Sequence, residues 1–230
     1  MEKTAIIVQA RTSSQRLPNK IIRPMNGVPM LGLLLQSLKR CNSANALAVA
    51  TSIEASDDPV ERLCEDYSVP CIRGPLHNVA GRFIKAVNEL QCQSFVRICG
   101  DSPLLDFRIV DQAVELFNRL KPDLLTNTMP RTYPKGFSVE ALNSSAFRYA
   151  YTLMHESDHL EHVTSYIKEN PSDFTIENFV SGHDWGGLQL SVDTANDFDF
   201  AEELIKRLNG PHWRFTCEEI VEQALSMLEE

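Results

Sequence analysis

From Thr4 to Asn127 the chain alternates short β-branched runs with longer stretches whose apolar residues fall three and four positions apart. A parallel sheet wrapped by crossover helices requires that alternation, because neighbouring parallel strands can only be joined by a long return connection. The strands are expected at TAIIVQA (Thr4 to Ala10), ALAVATS (Ala46 to Ser52), VPCIRG (Val69 to Gly74), SFVRICG (Ser94 to Gly100) and DLLTNT (Asp123 to Thr128). Between them PMLGLLLQSLKRC, DDPVERLCEDY, NVAGRFIKAVNEL and FRIVDQAVELFNRL have helical period, and Asp57, Asp58 and Pro59 form an N-terminal helix signal. These are βαβ units.

After Asn127 the pattern changes. MPRTYPKGFSVEALNSS is rich in turn formers with one alternating run, followed by helical stretches near Phe147 to His155 and Leu160 to Asn170. Residues of about 128–172 therefore read as an appended lobe. Two more strands are expected at FTIENFV (Phe174 to Val180) and LQLSVDT (Leu188 to Thr194), around the polar loop SGHDWGG, and two amphipathic helices close the chain. With no internal repeat or low-complexity linker, residues 1–230 are expected to form a single domain.

The 230 residues, 43% hydrophobic and 23% charged, suit a globular protein. A chain of this size buries about 70 to 75% of its unfolded surface, so no disulfide or structural metal is needed to supply a missing core. Cys41, Cys64, Cys71, Cys92, Cys99 and Cys217 are scattered without a CxxC pair and read as reduced core residues. The net charge of −9 repels nucleic acid and anionic membrane, so a polyanionic ligand must be caught locally. No apolar run is long enough to cross a bilayer and no signal-peptide h-region follows Met-Glu-Lys, so a cytoplasmic protein is expected.

The first strand runs into RTSSQRLPNKIIR, which gathers Arg11, Arg16, Lys20 and Arg23 in a chain that is acidic overall. In an open α/β sheet the loops after the strand carboxyl ends form the ligand crevice, so this is where a phosphate would bind. Neither GxxxxGK nor GxGxxG is present, which leaves guanidinium forks and an ammonium to do the work of backbone amides. The bland reading is a solvated loop face. Asp101, in CGDSPLLD, and Asp193, in SVDT, both emerge at strand ends and could share a Mg²⁺ with phosphate oxygens. Each could equally be an ordinary turn or cap aspartate. The segment HESDH (His155 to His159), with His162 beyond it, has the formal spacing of a zinc hydrolase site. Against that reading, Ser157 and Asp158 interrupt the helix with a cap signal.

Taken in order, QARTSSQRLPNK, ATSIEASDDP, RGPLHNVAGRF, VRICGDSPLLD, TNTMPRTYPKGFSVE, EHVTSYI and LSVDTANDF resemble the cytidylyltransferases of the spore-coat polysaccharide biosynthesis type. These are relatives of the synthetases that activate sialic acid, pseudaminic acid and 3-deoxy-manno-octulosonate as CMP-sugars. The resemblance spans roughly Ala5 to Glu203. It implies a Rossmann-like α/β fold with a mostly parallel sheet of the nucleotide-diphospho-sugar transferase (glycosyltransferase-A) kind, with a small inserted sugar-binding and dimerisation lobe. It also implies a homodimer that uses CTP and Mg²⁺.

The same resemblance implies residue roles. Ala10, Arg11, Arg16, Lys20, Arg73 and Asp101 would contact the nucleotide, with Arg11, Lys20 and Asp101 carrying catalysis. Asp101 and Asp193 would hold the metal, and Arg131, Glu140, His162 and Tyr166 would contact the sugar. Where relatives usually have glycine in the basic loop this chain has Ser13 and Asn19, and where they usually have proline after VDT it has Ala195. Loss of glycine would shift phosphate contacts from amides to side chains. The expected chemistry is in-line attack of a sugar hydroxyl on the α-phosphorus of CTP with loss of pyrophosphate, driven by positioning and charge neutralisation. The alternatives are a non-catalytic nucleotide- or sugar-binding protein on the same scaffold, a uridylyl or guanylyl transferase, and the zinc hydrolase.

Overall fold

The computed structural model describes residues 3–230. Its strands are β1 (Thr4–Gln9), β2 (Pro24–Met25), β3 (Val28–Pro29), β4 (Ala46–Ser52), β5 (Cys71–Gly74), β6 (Ser94–Cys99), β7 (Leu124–Thr126), β8 (Glu140–Asn143) and β9 (Ile176–Asn178). Its helices are α1 (Met30–Leu38), α2 (Asp58–Asp66), α3 (Val79–Leu90), α4 (Phe107–Leu120), α5 (Ser144–Leu153), α6 (Ser157–Glu161), α7 (Ser165–Glu169), α8 (Ala195–Arg207) and α9 (Cys217–Leu228). A seven-stranded sheet runs β5-β4-β1-β6-β8-β7-β9, while β2 and β3 form a separate antiparallel pair.

The sheet is mostly parallel, as the βαβ alternation requires. β1 lies between β4 and β6, parallel to both, and β4 pairs in parallel with β5. Because side chains alternate across a strand, Ile6 and Val8 of β1 enter one core layer while Ala5 and Ile7 enter the other. The first layer packs against α1, α4, α8 and α9 through residues such as Leu34, Val110, Phe198 and Val221. The second packs against α3 and α5 through Phe83, Val87 and Phe147, with Phe95 of β6 between the aromatic rings.

Helix starts carry their own stops against fraying. Asn78 accepts from the Gly81 N–H at 2.6 Å to begin α3, and Asp106 accepts from the Arg108 N–H at 3.0 Å to begin α4. Thr194 with Asp197 and Thr216 with Glu219 form reciprocal capping boxes at α8 and α9. A proline at Ala195 would only preset the first helical turn, which the Thr194–Asp197 box already fixes.

The expected strands at Thr4 to Ala10, Ala46 to Ser52 and Ser94 to Gly100 appear within one residue of those bounds. β5 starts only at Cys71, just after Pro70, which has no N–H to give a ladder. β7 stops at Thr126 because the Asn127 side chain turns inward, donating to the Phe137 carbonyl at 2.8 Å and accepting from the Val139 N–H at 2.9 Å. β9 is likewise a short core of the run expected from Phe174 to Val180.

Leu188 to Thr194 is not a strand. It crosses the strand ends, with an isolated bridge between Lys135 and Gln189 and a bond from the Val192 N–H to the Asp101 carbonyl at 2.9 Å. Leu190 and Val192 are buried there, which produces strand-like alternation without a neighbour to pair along its length. The segment 128–172, read from sequence as an appended lobe, contributes β8 to the middle of the sheet. This strand lies antiparallel between β6 and β7.

Candidate active site

At the carboxyl ends of β1 and β6 the sheet opens into a cleft of about 900 Å³. Ala10, Arg11, Arg16, Lys20, Asp101, His162 and Asp193 all line it. The loop after β1 is folded back on one carbonyl, that of Thr12, which accepts from the N–H groups of Ser14 and Asn19 at 2.9 Å. Asn19 takes up a left-handed conformation (φ 61°), which asparagine tolerates far better than most residues, so the glycine expected there is not needed for the turn. The Ala10 N–H is spent on the Ala50 carbonyl at 3.1 Å and is not available to a ligand.

Asp57 anchors this loop. The sequence suggested it as a helix cap, but it makes no cap bond. Its buried carboxylate accepts from the Thr12 N–H and hydroxyl, each at 2.7 Å, and from the N–H and hydroxyl of Ser52. Burial alone would raise its pKa, but the Ser52 and Thr12 donors outweigh burial and hold it below the usual carboxylate value.

Asp101 and Asp193 meet on one cation. The Lys20 ammonium, itself buried, lies 3.3 Å from Asp101 Oδ2, 3.2 Å from Asp193 Oδ1 and 2.6 Å from the Val192 carbonyl. Arg16 Nη2 sits 2.9 Å from Asp193 Oδ1. Asp101 can approach because residue 100 is glycine: a Cβ there would come within 2.9 Å of the Gln9 carbonyl oxygen. Among the described residues no group of three or more His, Cys, Asp or Glu gathers to hold a metal. The aspartate pair therefore fits a hard cation that takes its remaining oxygens from phosphate and water, and does not fit a protein-caged zinc.

Arg11, also in the cleft lining, pairs with Glu161 of α6 through both Nη atoms. Arg82 of α3 also reaches the cleft although it is buried. Burial, and after it the charge of Arg11, pushes its pKa down to about 10.

Other expected contacts lie elsewhere. Arg73 does not line the cleft: its guanidinium is committed to Asp58 and Glu61, each at 2.7 Å, and to the carbonyls of Ser52 and Glu54. Arg131 donates to Ser138 Oγ at 2.9 Å, and Tyr166 packs edge-on against His159 and Phe174. Glu140 is buried between Arg97 and Lys168, at 2.5 Å from each, and accepts from the Thr164 hydroxyl. Burial raises its pKa, but the two cations bring it down to about 2.

The HESDH spacing does not survive folding. α5 ends at Leu153 and α6 begins at Ser157, so His155 and His159 do not share a helix. His159 faces Glu169 at 2.9 Å and His162 faces Asp158 at 3.5 Å.

Sequence reasoning missed Glu161, Arg82 and Asp57 as parts of this site. Arg82 alone left a signal, a cation inside the otherwise apolar run VAGRFI.

A mostly parallel sheet whose first strand leads into a basic loop, in direct contact with two convergent carboxylates in an open cleft, defines a nucleotidyltransferase. The profile of the Cytidylyltransferase family matches residues 5–223, and the chain belongs to that family. It is 32% identical over 206 residues to an uncharacterized protein of Methanocaldococcus jannaschii, covering 88% of this chain and 83% of that one. It is 25% identical over 214 residues to the spore coat polysaccharide biosynthesis protein SpsF of Bacillus subtilis, covering 90% and 88%. Among solved structures, a cytidylyltransferase from Leptospira borgpetersenii superposes with a TM-score of 0.94 at 27% identity, covering 100% of this chain and 96% of that one. A CMP:2-keto-3-deoxy-manno-octonic acid synthetase complexed with CTP shares the fold, with a TM-score of 0.70 at 14% identity over 89% of this chain and 99% of that one.

Proposed function

We propose that the protein transfers the cytidylyl group of CTP to a hydroxyl of a sugar or sugar acid, giving a CMP-sugar for surface polysaccharide or glycan synthesis. The acceptor oxygen bonds to the α-phosphorus, the bond from that phosphorus to the β-phosphate oxygen breaks, and pyrophosphate leaves. Arg11, Arg16 and Lys20 grip the triphosphate, their forks and ammonium replacing the amides of a glycine-rich loop. Asp101 and Asp193 would hold Mg²⁺, which would supply neutralisation of phosphate charge and a lowered pKa for the acceptor hydroxyl. His162, exposed at the cleft edge, is the side chain we assign to take the acceptor proton.

The observation that carries this reading is the convergence of Asp101 and Asp193 on a single cation beside the basic loop. The named activity of the 3-deoxy-manno-octulosonate cytidylyltransferases supports the choice of CTP and of a sugar-acid acceptor, and the named role of SpsF in spore coat polysaccharide biosynthesis supports the polysaccharide context. Asp193→Ala is expected to lower pyrophosphate release by orders of magnitude while the circular dichroism spectrum and melting temperature stay near wild type. Near-normal turnover would rule out the metal role. CTP binding by calorimetry with no pyrophosphate release from any acceptor would identify a binding protein instead.

The reading includes a cytoplasmic homodimer. Among the described residues no helix is long and apolar enough to cross a membrane. Exposed Met129, whose N–H donates to Asn178 Oδ1 of the edge strand β9, and exposed Val180, two residues after that strand, are apolar groups that a second copy would cover.

A further inference from the structure

Arg82 is 1% exposed, yet it forms part of the cleft wall. Its Nη1 donates to the carbonyls of Pro75 at 2.6 Å and Leu76 at 2.8 Å, while Nε is buried without a partner. Its stem is held against Gly74, where any Cβ would come within 2.8 Å of Arg82 Cγ. Arg11, Arg16 and Lys20 each face a carboxylate. Among the described residues of the cleft, Arg82 is the cation with no carboxylate at ion-pair distance.

A buried guanidinium without a counter-charge weakens a fold. The two carbonyls it serves need donors, not a charge, so the fold gives no reason for an arginine here. The cleft does. Arg11 and Glu161 are the cleft residues whose charges Arg82 feels most strongly. Glu161 is bonded to Arg11 and not to Arg82, which leaves the Arg82 guanidinium without a direct counter-charge where the loop after β1 meets the first turn of α3. That turn adds the favourable end of the helix dipole.

We propose that Arg82 is a second anion-binding group of the cleft, taking a phosphate oxygen of the nucleotide beside Arg11. The inference rests on the reading of this cleft as the CTP site. Lys20 and Arg16 serve the end near Asp101 and Asp193, and Arg82 with Arg11 serves the other, so the phosphate chain is held from both sides.

The test is a ladder of CTP, CDP and CMP by calorimetry in magnesium buffer, with cytidine followed by ligand-observed NMR, on wild type, Arg82→Met and Arg82→Lys. Arg82→Met should weaken the three phosphorylated ligands by about tenfold or more and leave cytidine unchanged, as expected for a lost charge-assisted bond. Arg82→Lys, which keeps the charge but not the fork, should fall between, and it carries the test alone if the methionine variant does not melt cooperatively. Wild-type affinity for CTP in the folded variants, or an equal loss for cytidine, overturns the role of Arg82. A wild type that binds no CTP sinks the nucleotide reading itself, a result distinct from either.

Discussion

At the scale of single residues, three of the four Lys and Arg side chains that line the cleft, Arg11, Arg16 and Lys20, are paired with its own carboxylates. Glu161 occupies Arg11, and the two aspartates occupy Lys20. A triphosphate must displace Glu161 to reach Arg11, so Glu161→Gln is expected to tighten CTP binding by about fivefold, the worth of a partly exposed ion pair. Calorimetry checks this, and weaker binding would mean that Glu161 itself touches the ligand. The basic loop and Asp101 could be placed at the crevice from the sequence because each follows the carboxyl end of a strand, whereas Asp193 reaches the same cleft from a segment that is not a strand. Glu161 and Asp57 could not be placed, because their partners, Arg11 and Thr12, are far off in sequence and only the fold brings them together. Arg73 misled for the opposite reason: it ends a strand at the right edge, but Asp58 and Glu61 on α2 take its guanidinium first.

At the scale of elements, the strands with unbroken β-branched runs were the easy ones. β8 was obscured because it is short and begins with a charged residue, Glu140, which is stable there only between Arg97 of β6 and Lys168 of α7. That carboxylate therefore ties strand, sheet and helix together. Glu140→Leu should cost about 3–5 kcal/mol in urea denaturation, because it strands two cations around an apolar side chain. A loss under 1 kcal/mol would show that Arg97 and Lys168 find other partners.

The turn before α9 carries a second buried ionisable group. Burial pushes the His212 pKa down to about 4, and its Nε2 has no partner. The unfolded chain takes up this proton near pH 6.5 and the folded chain only near 4, so stability falls as pH drops through that window and this contribution levels off below it. The full loss is about 3 kcal/mol for such a shift. Urea midpoints at pH 7.5 and 5.0 should therefore differ less in His212→Gln than in wild type, and an unchanged difference would exonerate the imidazole.

At the scale of the whole molecule, the alternation of strand and helix predicted the sheet's parallel half, whose connections are local βαβ units. It did not predict where the chain returns after Asn127, since antiparallel insertion depends on which edge is free. The proposed dimer should appear in light scattering as a mass twice 25.9 kDa, and a monomer at working concentrations would remove it.

The order of the strands has a consequence for the newborn chain. β7 contacts β8 and β9 but not β6, so Leu124–Thr126 leave the ribosome before either of their neighbours exists. The first four strands of the large sheet can assemble as they emerge, whereas β7 must wait for residues 140–143 to slot in beside β6. Any fragment that terminates short of Asn143 would expose the apolar flank of β6 and an orphan strand together, the pair of features that invites aggregation.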